Sequence, residues 1–335
     1  MKKVLIIGAK GMLGQELVRV FSAPSQRRAQ QGGPASGGSQ YDVIAWDRED
    51  IDITNEAQVK EKVSALAPEI IINAAAYNAV DKAEEPAEFE LAKKLNGLAP
   101  KFLAVCAKNL GATFVHYSTD YVFDGQKEEG YKENDEPSPI SNYGRTKLMG
   151  EQEAEGVGGQ YYIIRLQKLF GRPAQSASAK KSFFETILFL AQTKKELEVV
   201  DEELANFTYA PDLAERTKYL VEQNLPYGIY HITNEGAPVT WFGAVKVLFE
   251  IAQERHPESL ANGEGSLTNV GPASAGDSSL RSRFAQNDNL PKLIPVSSSK
   301  FPRPAKRPEY SILLNTKLPP LRPWPEGLKE FLDSR

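Results

Sequence analysis

Short apolar runs alternate along this chain with longer stretches in which apolar positions recur every third or fourth residue. Lys2-Lys3-Val4-Leu5-Ile6-Ile7 is one such run. A continuous apolar run of that length reads as a strand buried on both faces of a parallel sheet. Asp42–Trp46, Glu69–Asn73, Thr113–Ser118, Tyr161–Leu166 and Gly228–Thr233 repeat the pattern. Helical spacing falls between them, at Gln15–Phe21, Ala57–Leu66, Ala87–Ala92, Leu98–Asn109 and Trp241–Glu254. Strands alternating with helices predict an α/β fold, a doubly wound parallel sheet covered on both faces.

Three segments break the pattern. Residues 22–40 are rich in Gln, Gly, Ser, Pro and Ala, too polar and small to bury a core alone, and read as a flexible insertion. Residues 262–279 have the same character. Residues 291–325 are proline-dense, which predicts an extended segment wrapped over the body rather than regular structure.

The first strand runs into Gly8-Ala9-Lys10-Gly11-Met12-Leu13-Gly14, and a helix follows. A glycine-rich turn between strand and helix lets the backbone approach a pyrophosphate at the helix N-terminus. The spacing Gly-x-x-Gly-x-x-Gly differs from the Gly-x-Gly-x-x-Gly fingerprint, and close helix-on-strand packing is the competing explanation. The second strand ends at Asp47, where a carboxylate can accept ribose hydroxyls, and Arg48 beside it can meet a 2′-phosphate. That leaves NADPH and NADH both open.

Tyr143 and Lys147 lie four residues apart in Ser141-Asn142-Tyr143-Gly144-Arg145-Thr146-Lys147, the spacing of neighbours on one helix face. A free phenol has a pKa of about 10, and a nearby ammonium lowers it by stabilising the phenolate. Reaching ~7 takes about 4 kcal/mol. The plain alternative is a tyrosine and a lysine on a solvated helix.

Composition bounds the remaining possibilities. With 335 residues and 41% hydrophobic content, the chain can bury a large core. A net charge of −4 with interspersed signs gives no footprint for nucleic acid or a membrane surface. The single cysteine, Cys106, excludes a disulfide framework. His116, His231 and His256 show no metal-ligand spacing, so no metal is expected. No apolar run reaches the ~18 residues of a spanning helix, and the start lacks a signal-peptide core. Cytoplasm is the expected compartment.

Taken together, the glycine turn, the Tyr-x-x-x-Lys pair and a Ser118-Thr119 strand end resemble an extended short-chain dehydrogenase/reductase. Closer still is the dTDP-4-dehydrorhamnose reductase family. Its pattern is carried by Asn73-Ala74-Ala75-Ala76-Tyr77-Asn78-Ala79-Val80-Asp81-Lys82-Ala83-Glu84, by His116-Tyr117-Ser118-Thr119-Asp120-Tyr121-Val122-Phe123-Asp124-Gly125, and by Pro137 through Glu151. The likeness is strong to about residue 165 and weaker beyond. It implies a Rossmann-like NAD(P)-binding domain over 1–166 and a smaller, mainly substrate-binding C-terminal region over 167–335. Residues 228–234 return to the main sheet.

The resemblance also implies roles. Tyr143 would donate the proton, Lys147 would lower its pKa and hold the nicotinamide ribose, and Thr119 would hydrogen-bond the reacting oxygen. A strand-end cap is the plain alternative for Thr119. Gly8, Gly11, Met12, Leu13, Gly14, Asp47 and Arg48 would bind NADPH or NADH. Asp52 and Ile53 would flank the adenine, and Ala74, Ala75, Ala76, Tyr77 and Asn78 would lie along the cofactor. Asp52 has the alternative of capping the helix near Asn55, and Asn96 either supports the lysine or ends a helix. Asp120 and Tyr121 would contact the sugar. Arg307 either pairs with a diphosphate or is a surface arginine.

The second half departs from the family pattern. Lys168, in Arg165-Leu166-Gln167-Lys168-Leu169-Phe170-Gly171, stands where the family has a tryptophan against the sugar, and 201–208 are altered. Glu16 matches one glutamate of a magnesium-bridged dimer, but the others fall on Pro211 and Pro325, so no such dimer is expected. Monomer and homodimer both remain. The implied activity is reduction of the C4 ketone of a dTDP-4-keto-6-deoxy sugar, dTDP-4-dehydrorhamnose to dTDP-L-rhamnose. The alternatives are a reductase of another nucleotide-linked keto sugar, and a non-catalytic NADP-binding regulatory subunit like the methionine adenosyltransferase beta subunit.

Overall fold

The structure, a computed structural model, describes residues 1–24, 39–176, 181–254 and 290–335. The 262–279 stretch, His256 and most of the 22–40 insertion lie outside the described residues.

Six parallel strands form the main sheet: β1 (Lys2–Ile7), β2 (Tyr41–Trp46), β3 (Ile70–Asn73), β4 (Thr113–Thr119), β5 (Tyr161–Leu166) and β9 (Gly228–His231), in the order β2-β1-β3-β4-β5-β9. The expected strands match these within a residue or two. Side chains alternate between the two faces. Val4 and Ile6 pack against α1 (Met12–Ser22) and α7 (Ala210–Glu222), while Leu5 and Ile7 pack against α2 (Glu56–Leu66) and α4 (Ala99–Leu110). That double burial is why the strands read as unbroken apolar runs, each such side chain contributing about 1.5–3 kcal/mol. Helix α5 (Asn142–Val157) completes the second layer, its Ala154 in the same core.

Beyond β5 lies a second core, which sequence patterning did not resolve. It is built from β6 (Leu169–Phe170), α6 (Phe183–Ala191), β7 (Glu196–Val200), β8 (Thr208–Tyr209), α8 (Trp241–Glu254), β10 (Lys292–Val296) and α9 (Trp324–Asp333). The proline-dense tail therefore contains regular structure, contrary to expectation. β10 pairs in parallel with β7, with Pro295 opposite Val199. A two-stranded sheet has only edges, so a residue without an N–H is tolerated there. A 3-10 turn, Ser298–Lys300, follows β10, and the tail beyond it is tied by isolated bridges, Tyr131 to Leu313 and Leu204 to Tyr310.

Strand order reverses between β1 and β3, and ligands of open α/β sheets bind beyond the strand ends at such a switch point. β1 ends at Ile7, β3 at Asn73 and β4 at Thr119, so Gly8, Ala74 and Asp120 follow on the same edge of the sheet.

Candidate active site

The glycine turn is built by exclusion. A Cβ on Gly14 would lie 2.0 Å from the Gly8 carbonyl oxygen, and one on Gly8 would lie 2.7 Å from Ala75 N. Gly8 also has φ +79°, a region L side chains rarely adopt. The turn and the 74–75 strand end therefore touch backbone to backbone. Gly11 caps α1 without a side-chain bond, and no acid stands in the first turn. The free N–H groups there suit an anion, so the residues present fit a dinucleotide.

The other expected cofactor residues are placed as follows. Asp47 is tied to the turn, its carboxylate accepting from Lys10 N at 2.9 Å and Arg48 N at 2.9 Å, while the Arg48 side chain is 70% exposed. Asp52 does not cap α2. It accepts from Thr54 N and Oγ1, while Asn55 is the cap, bonding Gln58 N. Leu13 and Ile53 are core residues, and Met12 is half-buried.

Asn96 sits in a π-helical turn, Lys93–Leu98, between α3 (Pro86–Ala92) and α4. Its side chain accepts from Tyr77 N at 2.9 Å and donates to Tyr77 O at 3.0 Å and Thr146 Oγ1 at 3.2 Å. None of these bonds goes to Lys147. Asn96 fixes the 74–78 strand end and clamps it to α5.

Two more close approaches hold α5. A Cβ on Gly144 would meet the Tyr121 carbonyl oxygen at 2.2 Å, and one on Gly150 the Asn96 carbonyl oxygen at 2.0 Å. Ser141 caps the helix through Gly144 N. Tyr143 and Lys147 are thereby buried on one face. The Tyr143 hydroxyl reaches Asn78 Oδ1 at 3.5 Å, and its ring packs edge-on against Tyr121, 5.6 Å between centroids.

The sequence-based expectation of a lowered phenol pKa is not met. Burial pushes Tyr143 up, with Asp120 adding to the rise and the Thr119 hydroxyl opposing it. Lys147 donates to the Tyr117 carbonyl at 2.6 Å instead. Burial brings its own pKa down to about 8, with Glu151 opposing.

Thr119 closes β4. Its Oγ1 donates to Asp120 Oδ1 at 2.9 Å and accepts from Tyr121 N at 3.2 Å, so it does cap the following turn. His116 Nε2, Ser118 Oγ and Asp120 Oδ2 are buried without a hydrogen-bond partner among the described residues. Such orphan atoms are rare in folded proteins, and these three lie close together, two in β4 and the third in the turn that follows it, beside β3 in the sheet.

On the far side stands Lys168, with φ +40°. Its ammonium is buried, donates to the Glu203 carbonyl at 2.7 Å, and lies 4.0 Å from the Trp241 ring centroid. Burial lowers its pKa to about 8 against the pull of Glu203 and Asp120. The Glu203 carboxylate accepts from Trp241 Nε1 at 2.9 Å and pairs with Arg303. Arg307 is no surface arginine, since its side chain is 12% exposed and salt-bridges Asp81 at 2.8 Å. Sequence reasoning missed Trp241, Glu203 and Arg303. The only signal was the altered 201–208 stretch, because the partners are far apart in the chain.

Glu16 is fully buried, and both of its oxygens are taken by guanidinium groups, from Arg172 at 2.7 and 2.8 Å and Arg19 at 2.9 Å. Burial raises its pKa, but the two arginines outweigh this and hold it below the usual range. Among the described residues, no helix is long and apolar enough to cross a membrane.

Comparison with known proteins gives three kinds of match. The family model of the RmlD substrate binding domain matches residues 1–335. The chain is 30% identical to the spore coat polysaccharide biosynthesis protein SpsK of Bacillus subtilis, covering 100% of this chain and 98% of that protein. It is 29% identical to the dTDP-4-dehydrorhamnose reductase of Escherichia coli, covering 98% and 97%. Among solved structures, the dTDP-4-dehydrorhamnose reductase of Bacillus anthracis in complex with NADP superposes with a TM-score of 0.77 at 30% identity over the full length of both chains.

Proposed function

The chain belongs to the family of the RmlD substrate binding domain, and from that membership we propose that it reduces the C4 ketone of a dTDP-linked 4-keto-6-deoxy sugar using NADPH or NADH. The observation that carries this reading is the convergence of Thr119, Tyr143 and Lys147 on the strand edge that also holds the glycine cradle. The loop 8–14, the 74–78 strand end, Asp47 and Arg48 would hold the cofactor. A reduced nicotinamide bound there supplies a hydride.

The chain's own residues do the rest. A phenol raised by burial keeps its proton at neutral pH, and it yields that proton only to a stronger base such as an alkoxide. Tyr143 is the donor on this reading. Lys147 stabilises the phenolate left behind, and Thr119 presents its hydroxyl to the reacting oxygen. Asp120, Tyr121 and Lys168 face the sugar, and Arg307 stands behind them at the tail.

A second reading, another nucleotide-linked keto sugar, is favoured by one observation: the buried ammonium of Lys168 on Trp241, where the family resemblance implies an apolar platform. Incubation with dTDP-4-keto-6-deoxy-L-mannose and NADPH, followed by loss of nicotinamide absorbance, tests the first reading. No oxidation with that sugar, but turnover of a different keto sugar, moves the assignment to the second. Tight cofactor binding with no turnover of any keto sugar supports a non-catalytic subunit instead.

A further inference from the structure

Thr119 has one hydroxyl hydrogen and two claims on it. In the structure that hydrogen goes to Asp120 Oδ1 at 2.9 Å, while the hydroxyl oxygen accepts from Tyr121 N. An ionised carboxylate only accepts hydrogen bonds, so this bond has a single direction while Asp120 is charged. The role proposed for Thr119 needs the same hydrogen at the reacting carbonyl oxygen. Asp120 is 3% exposed, and its Oδ2 makes no hydrogen bond of good geometry among the described residues, although the Ser311 hydroxyl stands near the carboxyl. A buried carboxylate with one oxygen unpaired is a costly place for a full charge.

We propose that Asp120 carries a proton in the productive complex, so that its hydrogen bond with Thr119 runs from carboxyl to hydroxyl. The proton comes from solvent and sits on Oδ1. Oδ1–H donates to Thr119 Oγ1, and the Thr119 hydrogen turns to the substrate oxygen. Oδ2 keeps its lone pairs and accepts a hydroxyl of the sugar. Asp120 forms no bond to carbon and does not consume its proton; the transferred proton is Tyr143's. Asp120 is a positioning residue that acts through Thr119, and the inference rests on the reductase reading.

The groups facing Asp120 fit this assignment. Tyr121 and Thr119 come from its own turn, Tyr143 from α5, Ser311 from the tail, and Lys168 from the β5–β6 connection with Glu203 behind it. Burial outweighs the two hydroxyls and the lysine and raises the carboxyl pKa to about 6. Both phenols are raised and uncharged at that pH. Lys168 is thus the one cation among these neighbours. Removing it would raise the Asp120 pKa further.

The test is the pH dependence of kcat/KM from about pH 5.5 to about pH 7.5, below the range in which Lys147 and Lys168 release their protons. In the wild type it should fall towards about tenfold per unit above the carboxyl pKa. In Asp120→Asn the amide donates to Thr119 at every pH, so the falling limb should disappear. Thr119→Val lacks the hydroxyl, so it should be slow and also lose the limb. Should Asp120→Asn fail to fold, Thr119→Val carries the same comparison, with cofactor binding as the check on folding. A limb retained in either variant overturns the proposal.

Infrared spectra of the cofactor-bound protein give a readout independent of turnover. A protonated-carboxyl C=O stretch should titrate near pH 6 and vanish in Asp120→Asn. If that band is present while no keto sugar is reduced, the reductase reading fails and the Asp120 assignment stands. If the band is absent, the assignment fails even where the sugar is reduced.

Discussion

The two ends of the site are made by different means. At the cofactor end, backbone meets backbone: Gly8 against Ala75, Gly14 against Gly8, with no room for a methyl group. At the end proposed to hold the sugar, side chain meets side chain: Lys168 on Trp241, Glu203 with Arg303, Arg307 with Asp81. A backbone contact this close admits one residue type and is rigid. A side-chain cluster has many solutions of similar stability. The first arrangement suits a cofactor common to many reactions, and the second suits a substrate that differs among them.

Four variants would break or sharpen this contrast. The largest effect is expected at the junction of the two ends. Tyr143→Phe should lower kcat by about 10²–10⁴-fold while NADPH affinity, read by nicotinamide fluorescence, stays within about twofold. Near-normal turnover would show that the proton comes from elsewhere. Next, Gly14→Val forces a side chain into the Gly8 carbonyl, an overpacking of about 1–3 kcal/mol or more. Cofactor affinity should fall on the order of 100-fold, with a drop in Tm, and wild-type affinity would show that the cradle yields.

Lys168→Met probes the other end. Burial lowers Lys168 from the ordinary 10.5 to about 8. Between those values the unfolded chain holds a proton that the folded chain has released, so this group makes stability rise with pH across that window. Below about pH 8 both states are protonated, and the burial penalty is present in full. The methionine variant should therefore be more stable at neutral pH, on the order of 1–3 kcal/mol, and its rise toward pH 10 should be shallower. Lys147, also lowered to about 8, should retain its own share of the rise. Denaturant midpoints at two pH values decide this, and an unchanged slope would count against the burial argument. The smallest effect is expected for Arg48→Ala. The side chain is exposed, so KM for NADPH should rise several-fold with KM for NADH unmoved. Equal effects on both would remove Arg48 from 2′-phosphate recognition.

The same contrast explains what could be read from sequence. The main sheet was legible because both faces of β1, β3 and β4 are buried, which leaves unbroken apolar runs. The cradle was legible because only glycine fits where backbones touch. The second core was not, because β6 and β8 are two residues long and carry no period. Nor was the Lys168 cluster, whose members come from positions 168, 203, 241 and 303 and meet only through the fold. The Tyr143–Lys147 spacing did place both side chains on one face. It carried no information about how deeply α5 is buried, and burial is what sets both pKa values. Asn96 was legible as a residue of interest, but its partners depend on a π-turn that spacing cannot reveal.

The tail gives the site an order of assembly in time. Arg303 and Arg307 pair with Glu203 and Asp81, and Leu313 and Tyr310 bridge to Tyr131 and Leu204. On a ribosome these tail residues emerge after every other part of the site. The nascent chain can complete its cofactor cradle while the sugar end still lacks its outer wall. A chain stopped before residue 303 would contain every residue proposed for the cofactor and would lack the partners of Glu203 and Asp81.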